Sequence, residues 1–217
     1  MGLSETGTEP RVSQKDDIVS LVSDTVDLPP WQTTSSTHLF HDRWLKVRAD
    51  NCVTAEGVEI APYYVLEYPD WVEIIALDAE DHIYLVQQYR HGLGVAALEL
   101  PGGAVDATDA GPVEAAAREL REETGLSSTD WDYVGKLAPN PATHTNLAHI
   151  VIARNVELTT RPADDPTERI RLIRMPIRQA IELALEGKMI QVIHVAALTL
   201  ALHKAGKWDV PAPSGKL

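Results

Sequence analysis

An α/β fold, with strands wrapped around one central helix and two helices closing the chain, is what this 217-residue sequence predicts. Three observations carry it. Apolar and polar residues alternate in several stretches from Trp44 onward, and a period of two marks strands covered on one face. A single apolar stripe at helical spacing, Val113, Ala116, Ala117 and Leu120, lies among them, as an amphipathic helix requires. Two further helical segments follow the last strand, and such an order packs as an α/β sandwich.

Along the chain, residues 1–30 hold six acids against two bases and few large apolar side chains, so they read as a mobile acidic arm that ends in the DLPP stretch before Trp31. Residues 31–70 are assigned to N-terminal strands. Residues 44–53 (WLKVRADNCV) and 58–68 (VEIAPYYVLEY) flank the turn-forming Ala55-Glu56-Gly57, which predicts a hairpin. A second pair, 71–77 (WVEIIAL) and 83–88 (IYLVQQ), is joined by Asp78-Ala79-Glu80-Asp81. The helix runs from Pro112, suited to a first turn, to Thr124, where Gly125 stops it. Strands are expected near 131–137, 147–153 and 169–174. Helices are expected at 176–186 and 190–204, separated by Gly187. The main domain is expected to span 71–207, with a tail over 208–217.

Composition narrows the function. A net charge of −13 disfavours nucleic acid backbones, which the field would repel, yet a phosphate substrate stays compatible when divalent cations lie between it and carboxylates. The single cysteine, Cys52, excludes an intrachain disulfide framework and a multi-cysteine zinc site; it reads as a small residue packed in a strand, in keeping with a reducing cytoplasm. No apolar run approaches the ~20 residues that span a bilayer, and the N-terminus has no basic start followed by an apolar core, so it does not read as a signal peptide.

The chemistry concentrates between Gly102 and Leu126. On a helix, Glu119 and Glu123 are four residues apart and Glu122 is three from Glu119, so the three carboxylates share a face. Like charges so close repel unless a cation lies between them, and a hard ion such as Mg²⁺ or Mn²⁺ does this while keeping positions open for phosphates. Arg118, next to Glu119 and four before Glu122, is placed to orient a ligating carboxylate. The bland alternative is a solvated Glu-rich face with Arg–Glu pairs.

The segment resembles the Nudix box: a Gly, five residues, a Glu, seven residues, then Arg-Glu-apolar-x-Glu-Glu-x-Gly-apolar. Arg118, Glu119, Leu120, Glu122, Glu123, Gly125 and Leu126 match every fixed position of its C-terminal half. The N-terminal half departs. Counting from Gly103, the first Glu falls on Asp109, and eight residues rather than seven separate it from Arg118. The extra residue lengthens the loop before the helix, and Asp109 is not taken as a ligand. The resemblance implies a Nudix α/β/α sandwich with a mixed sheet and an N-terminal β-hairpin subdomain. It implies metal ligation by Glu119, Glu122, Glu123 and Gly103, with Mg²⁺ expected and Mn²⁺ an alternative. Arg118, Glu119 and Glu122 then belong to the catalytic set.

Over residues 38–204 the likeness extends to the ADP-ribose pyrophosphatase branch, through Gln87-Gln88-Tyr89-Arg90-His91-Gly92 and Glu99-Leu100-Pro101-Gly102-Gly103. That branch implies a homodimer built partly by residues 31–70. Arg90 is a ligand for a substrate phosphate or a surface ion pair. Glu99 binds the nucleoside or a metal, or pairs with Arg90. Glu168 is the match for the branch's general base in a loop after the box, against a plain exposed acid; Glu122 or Glu119 are the alternatives. His144 and Asn146, in the stretch 140–146, are suited to hydrogen-bonding a sugar, or serve turn chemistry alone. Since that stretch replaces the branch's usual turn, NDP-sugars stand beside ADP-ribose as substrates. His194 and His203 are read as structural. The implied activity is metal-dependent pyrophosphohydrolysis of a nucleotide-linked small molecule, without nucleic acid or membrane partners. A non-catalytic nucleotide-sensing module and a dinucleoside polyphosphate hydrolase are the alternatives.

Overall fold

Alternation along WVEIIAL sends Val72, Ile74 and Ala76 into one cluster of core residues and Ile75 and Leu77 into another. The strand is therefore covered on both faces, as its nearly unbroken apolar run demands. In this computed structural model residues 29–162 and 169–209 are described. Their elements run β1 (Gln32–His41), β2 (Lys46–Val53), β3 (Glu59–Glu67), β4 (Trp71–Leu77), β5 (His82–Arg90), β6 (Val95–Glu99), β7 (Gly102–Ala104), α1 (Pro112–Thr124), β8 (Leu126–Ser127), β9 (Asp130–Leu137), β10 (Ala148–Arg154), β11 (Glu157–Leu158), β12 (Ile170–Pro176), α2 (Ile177–Leu185) and α3 (Val192–Lys204).

The central mixed sheet has the order β12-β5-β4-β10-β9, with β6 added to β5 and β7 to β4. Strand β10 runs parallel to β4, and the other pairings are antiparallel. On one face α1 packs Ala115, Ala116 and Leu120 onto Val72, Ile74, Val151 and Ala153. On the other, Ala180 and Ile181 of α2 and Ala197, Leu198 and Ala201 of α3 meet Ile75, Leu77, Ile83, Leu85, Ile150 and Ile152. This is the predicted α/β/α sandwich. Pro112 stands in the first turn of α1, and Gly125 ends it with φ 72°, its N–H bonded to the Arg121 carbonyl; a left-handed cap of this kind suits glycine.

One departure from a plain sheet matters for the site. Strands β4 and β5 pair only at Ala76↔Tyr84 and Leu77↔Ile83. Beyond that point they part: β4 takes β7 as neighbour, Val72 opposite Gly103 and Glu73 opposite Gly102, while β5 takes β6. The sheet thus forks, with Pro101 accepting the Ile74 N–H at 2.9 Å inside the fork.

A three-stranded sheet of order β1-β2-β3 precedes the central one. By contacts the described chain divides into two compact units, residues 29–36 with 50–63, and residues 37–49 with 64–209. In the first, the Trp31 ring meets Tyr63 edge-on, Ser36 Oγ donates to Asp50, and Cys52 is buried. Strand β1 escapes a periodicity reading because its ten residues are all exposed, leaving no alternation to detect. Strands β6 and β7, five and three residues long, are too short to register one. Among the described residues no helix is long and apolar enough to cross a membrane.

Candidate active site

The α1 helix and strand β7 build the site together. At Gly103 the backbone lies against the Glu119 carboxylate so closely that a β-carbon would come within 2.6 Å of it, so only glycine lets the two meet. One residue earlier, the Gly102 N–H donates to Glu123 Oε2 at 2.9 Å. Glu119 and Glu123 are thus both seated on β7.

Arg118 locks this arrangement. Its Nη1 donates to Glu119 at 2.8 Å and to Glu122 at 3.3 Å, its Nη2 donates to the Ala104 carbonyl at 2.9 Å, and its Nε and Nη2 reach the two oxygens of Asp109. One guanidinium therefore ties helix, strand and loop through its rigid fork of donors. The Asp109 hydrogen bond above all, with Glu119 adding to it, holds the Arg118 pKa above its ordinary value. In return the Arg118 hydrogen bond holds Asp109 below the usual carboxylate range, against its burial. Asp109 also accepts the Asp106 N–H, so it closes the lengthened loop from the inside.

The donors suit a hard divalent cation: three carboxylates within five residues of one helix, plus the β7 backbone against which Glu119 lies. Among the described residues no three such side chains converge on one point. An ion at this site would compete with Arg118 and the Gly102 N–H for the carboxylates.

Arg90 and Glu99, the predicted phosphate and nucleoside ligands, are brought to each other. Arg90 Nε lies 2.9 and 3.0 Å from the two Glu99 oxygens and Nη2 closes a second bond. Glu99 is 1% exposed and Arg90 45%, so a buried carboxylate holds a guanidinium that reaches solvent. Behind Glu99 stands His194 of α3, its Nε2 3.8 Å from Glu99 Oε2 and its Nδ1 2.6 Å from Glu73 Oε2.

His144 and Asn146 lie in the loop before β10. The His144 ring tilts against Tyr68 at 5.1 Å between centroids. Its Nδ1 and both amide atoms of Asn146 are buried without a hydrogen-bond partner, and Asn146 is only 2% exposed. Asn146 thus faces the interior rather than solvent. Nearby, Asp70 accepts the Leu147 N–H, and its other oxygen is 3.4 Å from His149, whose Nδ1 meets the Tyr133 hydroxyl at 2.9 Å. Burial, and then Asp70, raise the Tyr133 pKa. Glu168, the predicted general base, lies outside the described residues.

Sequence reasoning passed over Glu73. Its signal was there: a lone acid inside the otherwise apolar strand WVEIIAL, and an acid is rarely buried without a partner.

A model of the NUDIX domain matches residues 68–194, and a model of the nucleoside diphosphate sugar hydrolase N-terminal domain matches residues 31–66. The ADP-ribose pyrophosphatase of Mycobacterium tuberculosis is 32% identical over 174 residues, 80% of this chain and 83% of that protein. The ADP compounds hydrolase NudE of Escherichia coli is 28% identical over 121 residues, 56% of this chain and 64% of that one. A crystal structure of an ADP compounds hydrolase superposes with a TM-score of 0.73 at 24% identity, covering 84% of this chain and all of that one, which shows the fold.

Proposed function

The chain belongs to the Nudix family, and from that premise we propose that it hydrolyses ADP-ribose or an NDP-sugar to a nucleoside monophosphate and a sugar phosphate. The observation that carries this reading is the seating of Glu119 and Glu123 on β7 with Arg118 bonded to Glu119 and Glu122. ADP-ribose is supported by the mycobacterial relative, and NDP-sugars by the domain model over residues 31–66.

Nudix hydrolases use divalent metal ions; here we take the ion to be Mg²⁺, with Mn²⁺ as substitute, held by Glu119, Glu122, Glu123 and the Gly103 carbonyl. Such an ion, when bound, neutralises charge on the diphosphate and lowers the pKa of water. The chain's own residues do the rest. Arg118 orients Glu119 and Glu122, and Arg90 takes a phosphate oxygen through its guanidinium. A carboxylate accepts the proton of the attacking water, from Glu168 or from Glu122 or Glu119, a contribution of typically ~10²–10⁴ in rate. Water adds to one phosphorus, the anhydride P–O bond breaks, and the two phosphates leave on separate products. His144 is assigned to the sugar; Asn146 would join it only by turning out of the interior.

A homodimer and a cytoplasmic location belong to the same reading. Exposed Leu39, Phe40 and Trp44 support an interface through residues 31–70, and the lone free Cys52 supports a reducing compartment. The test is a panel of ADP-ribose, GDP-mannose, UDP-glucose, NADH and diadenosine polyphosphates with Mg²⁺, products followed by chromatography. Preferred turnover of ADP-ribose or an NDP-sugar is expected. Preference for a diadenosine polyphosphate would replace the substrate class, and no turnover with Mg²⁺ or Mn²⁺ would favour a sensing module.

A further inference from the structure

We propose that His194 is a positioning residue for the phosphate-binding arm: from α3 it steadies Glu99, and through Glu99 the guanidinium of Arg90. The inference rests on the reading of Arg90 as a ligand for the substrate phosphate.

The fork in the central sheet sets the need. Where β4 and β5 part, no ladder hydrogen bonds join β4 to the β5–β6 hairpin, yet that hairpin carries Arg90. The His194 ring fills this position. Its Nδ1 is 2.6 Å from Glu73 on β4 and its Nε2 is 3.8 Å from Glu99 on β6. One side chain from a third element thus bridges the two branches. The His194 and Glu73 side chains are each 5% exposed and that of Glu99 1%, so the three groups meet away from water.

Stability alone gives no reason for the cluster. Both His194 ring nitrogens and Glu73 Oε2 lack an aligned hydrogen bond despite the short approach. Buried polar groups so placed cost free energy, and apolar side chains of similar volume would commonly serve the fold as well or better. The rest of the buried face of α3, Ile193, Ala197, Leu198, Ala201 and Leu202, is apolar. What the cluster provides is a fixed Glu99 carboxylate, which meets Arg90 through two of its nitrogens. A supporting shell of this kind typically changes binding or activity by ~10–100-fold when removed.

Two variants separate this role from packing. His194→Asn retains a polar atom near the Nδ1 position, facing Glu73, but is too short for Glu99. His194→Gln reaches the Nε2 position, facing Glu99. In ¹⁵N-labelled protein the Arg90 Nε–H signal, identified by its loss in Arg90→Lys, reports the Glu99 bond without any substrate. His194→Asn is expected to speed hydrogen exchange at that group and raise KM for ADP-ribose by about 10-fold with kcat within about two-fold, and His194→Gln to restore both. Combining Arg90→Ala with His194→Asn is expected to raise KM no further than Arg90→Ala alone, since the two act on one contact. Equal behaviour of the Asn and Gln variants, an unchanged Arg90 signal in His194→Asn, or additive effects on KM would overturn the proposal. If wild-type protein turns over neither ADP-ribose nor an NDP-sugar, the substrate reading falls, and the exchange of Arg90 Nε–H still decides the role of His194.

Discussion

On the α1 face of the central sheet, Arg118 meets Glu119, Glu122 and Asp109 at the rim through well-formed hydrogen bonds. On the α2 and α3 face, His194 meets Glu73 and Glu99 within the apolar core and lacks an aligned bond to either. Arg118 and Glu122 are partly exposed, so exchanging their partners for the proposed cation would carry a modest cost. The core groups are sealed from water, which fits the proposed role of holding a geometry rather than changing one. The proposed chemistry and its proposed support thus fall on opposite faces, with Arg90 held by the buried Glu99 and open to solvent.

The largest effect that could break this comparison lies on the α1 face. Glu122→Gln and Glu123→Gln are each expected to lower kcat at least ~10²-fold with the thermal melting curve unchanged. Near-wild-type rates in both would remove the chemistry from this face. Next comes Gly103→Ala, whose β-carbon would displace the Glu119 carboxylate; since a side-chain end can yield, the chain should fold while turnover falls roughly 10-fold, as steady-state kinetics would show.

Asp109→Asn sharpens the electrostatic side. The folded Asp109 pKa lies below its unfolded value because Arg118 bonds the carboxylate. It therefore adds stability above the ordinary aspartate pKa of about 3.9, lost as pH falls through the lowered folded value. Melting temperatures from neutral to acid pH should show a shallower acid limb in Asp109→Asn, and parallel curves would deny the link. Smallest of all, deleting residues 1–30, read from sequence as an arm, should leave turnover within about two-fold; loss of activity would give the arm a part in the site.

How much of this was legible depended on locality. The α1 helix and its carboxylates were readable because Pro112, the apolar stripe, the charges and Gly125 all lie within one short segment. The Arg118 contact to Glu122, four residues on, follows from helical spacing, whereas that to the adjacent Glu119 does not. The His194 bridge to Glu73 joins residues far apart in sequence, and nothing in the spacing announces it. The fork was hidden too, since β7 is three residues long and periodicity cannot be judged over so few. Asn146 shows the opposite limit: a loop residue of suitable chemistry proved to point inward, and burial is a property of the fold rather than of the loop's composition.

The central claim is that the α1 carboxylates hold the ion on which hydrolysis depends. Its most direct test is calorimetric titration of chelator-stripped protein with Mg²⁺, alongside ADP-ribose turnover at the same concentrations, for wild type and for the combined Glu119→Gln, Glu122→Gln, Glu123→Gln variant. Wild type should bind Mg²⁺ and gain activity over one concentration range, and the triple variant should lose both. Turnover that persists in chelator, or Mg²⁺ binding by the triple variant equal to wild type, would contradict the account.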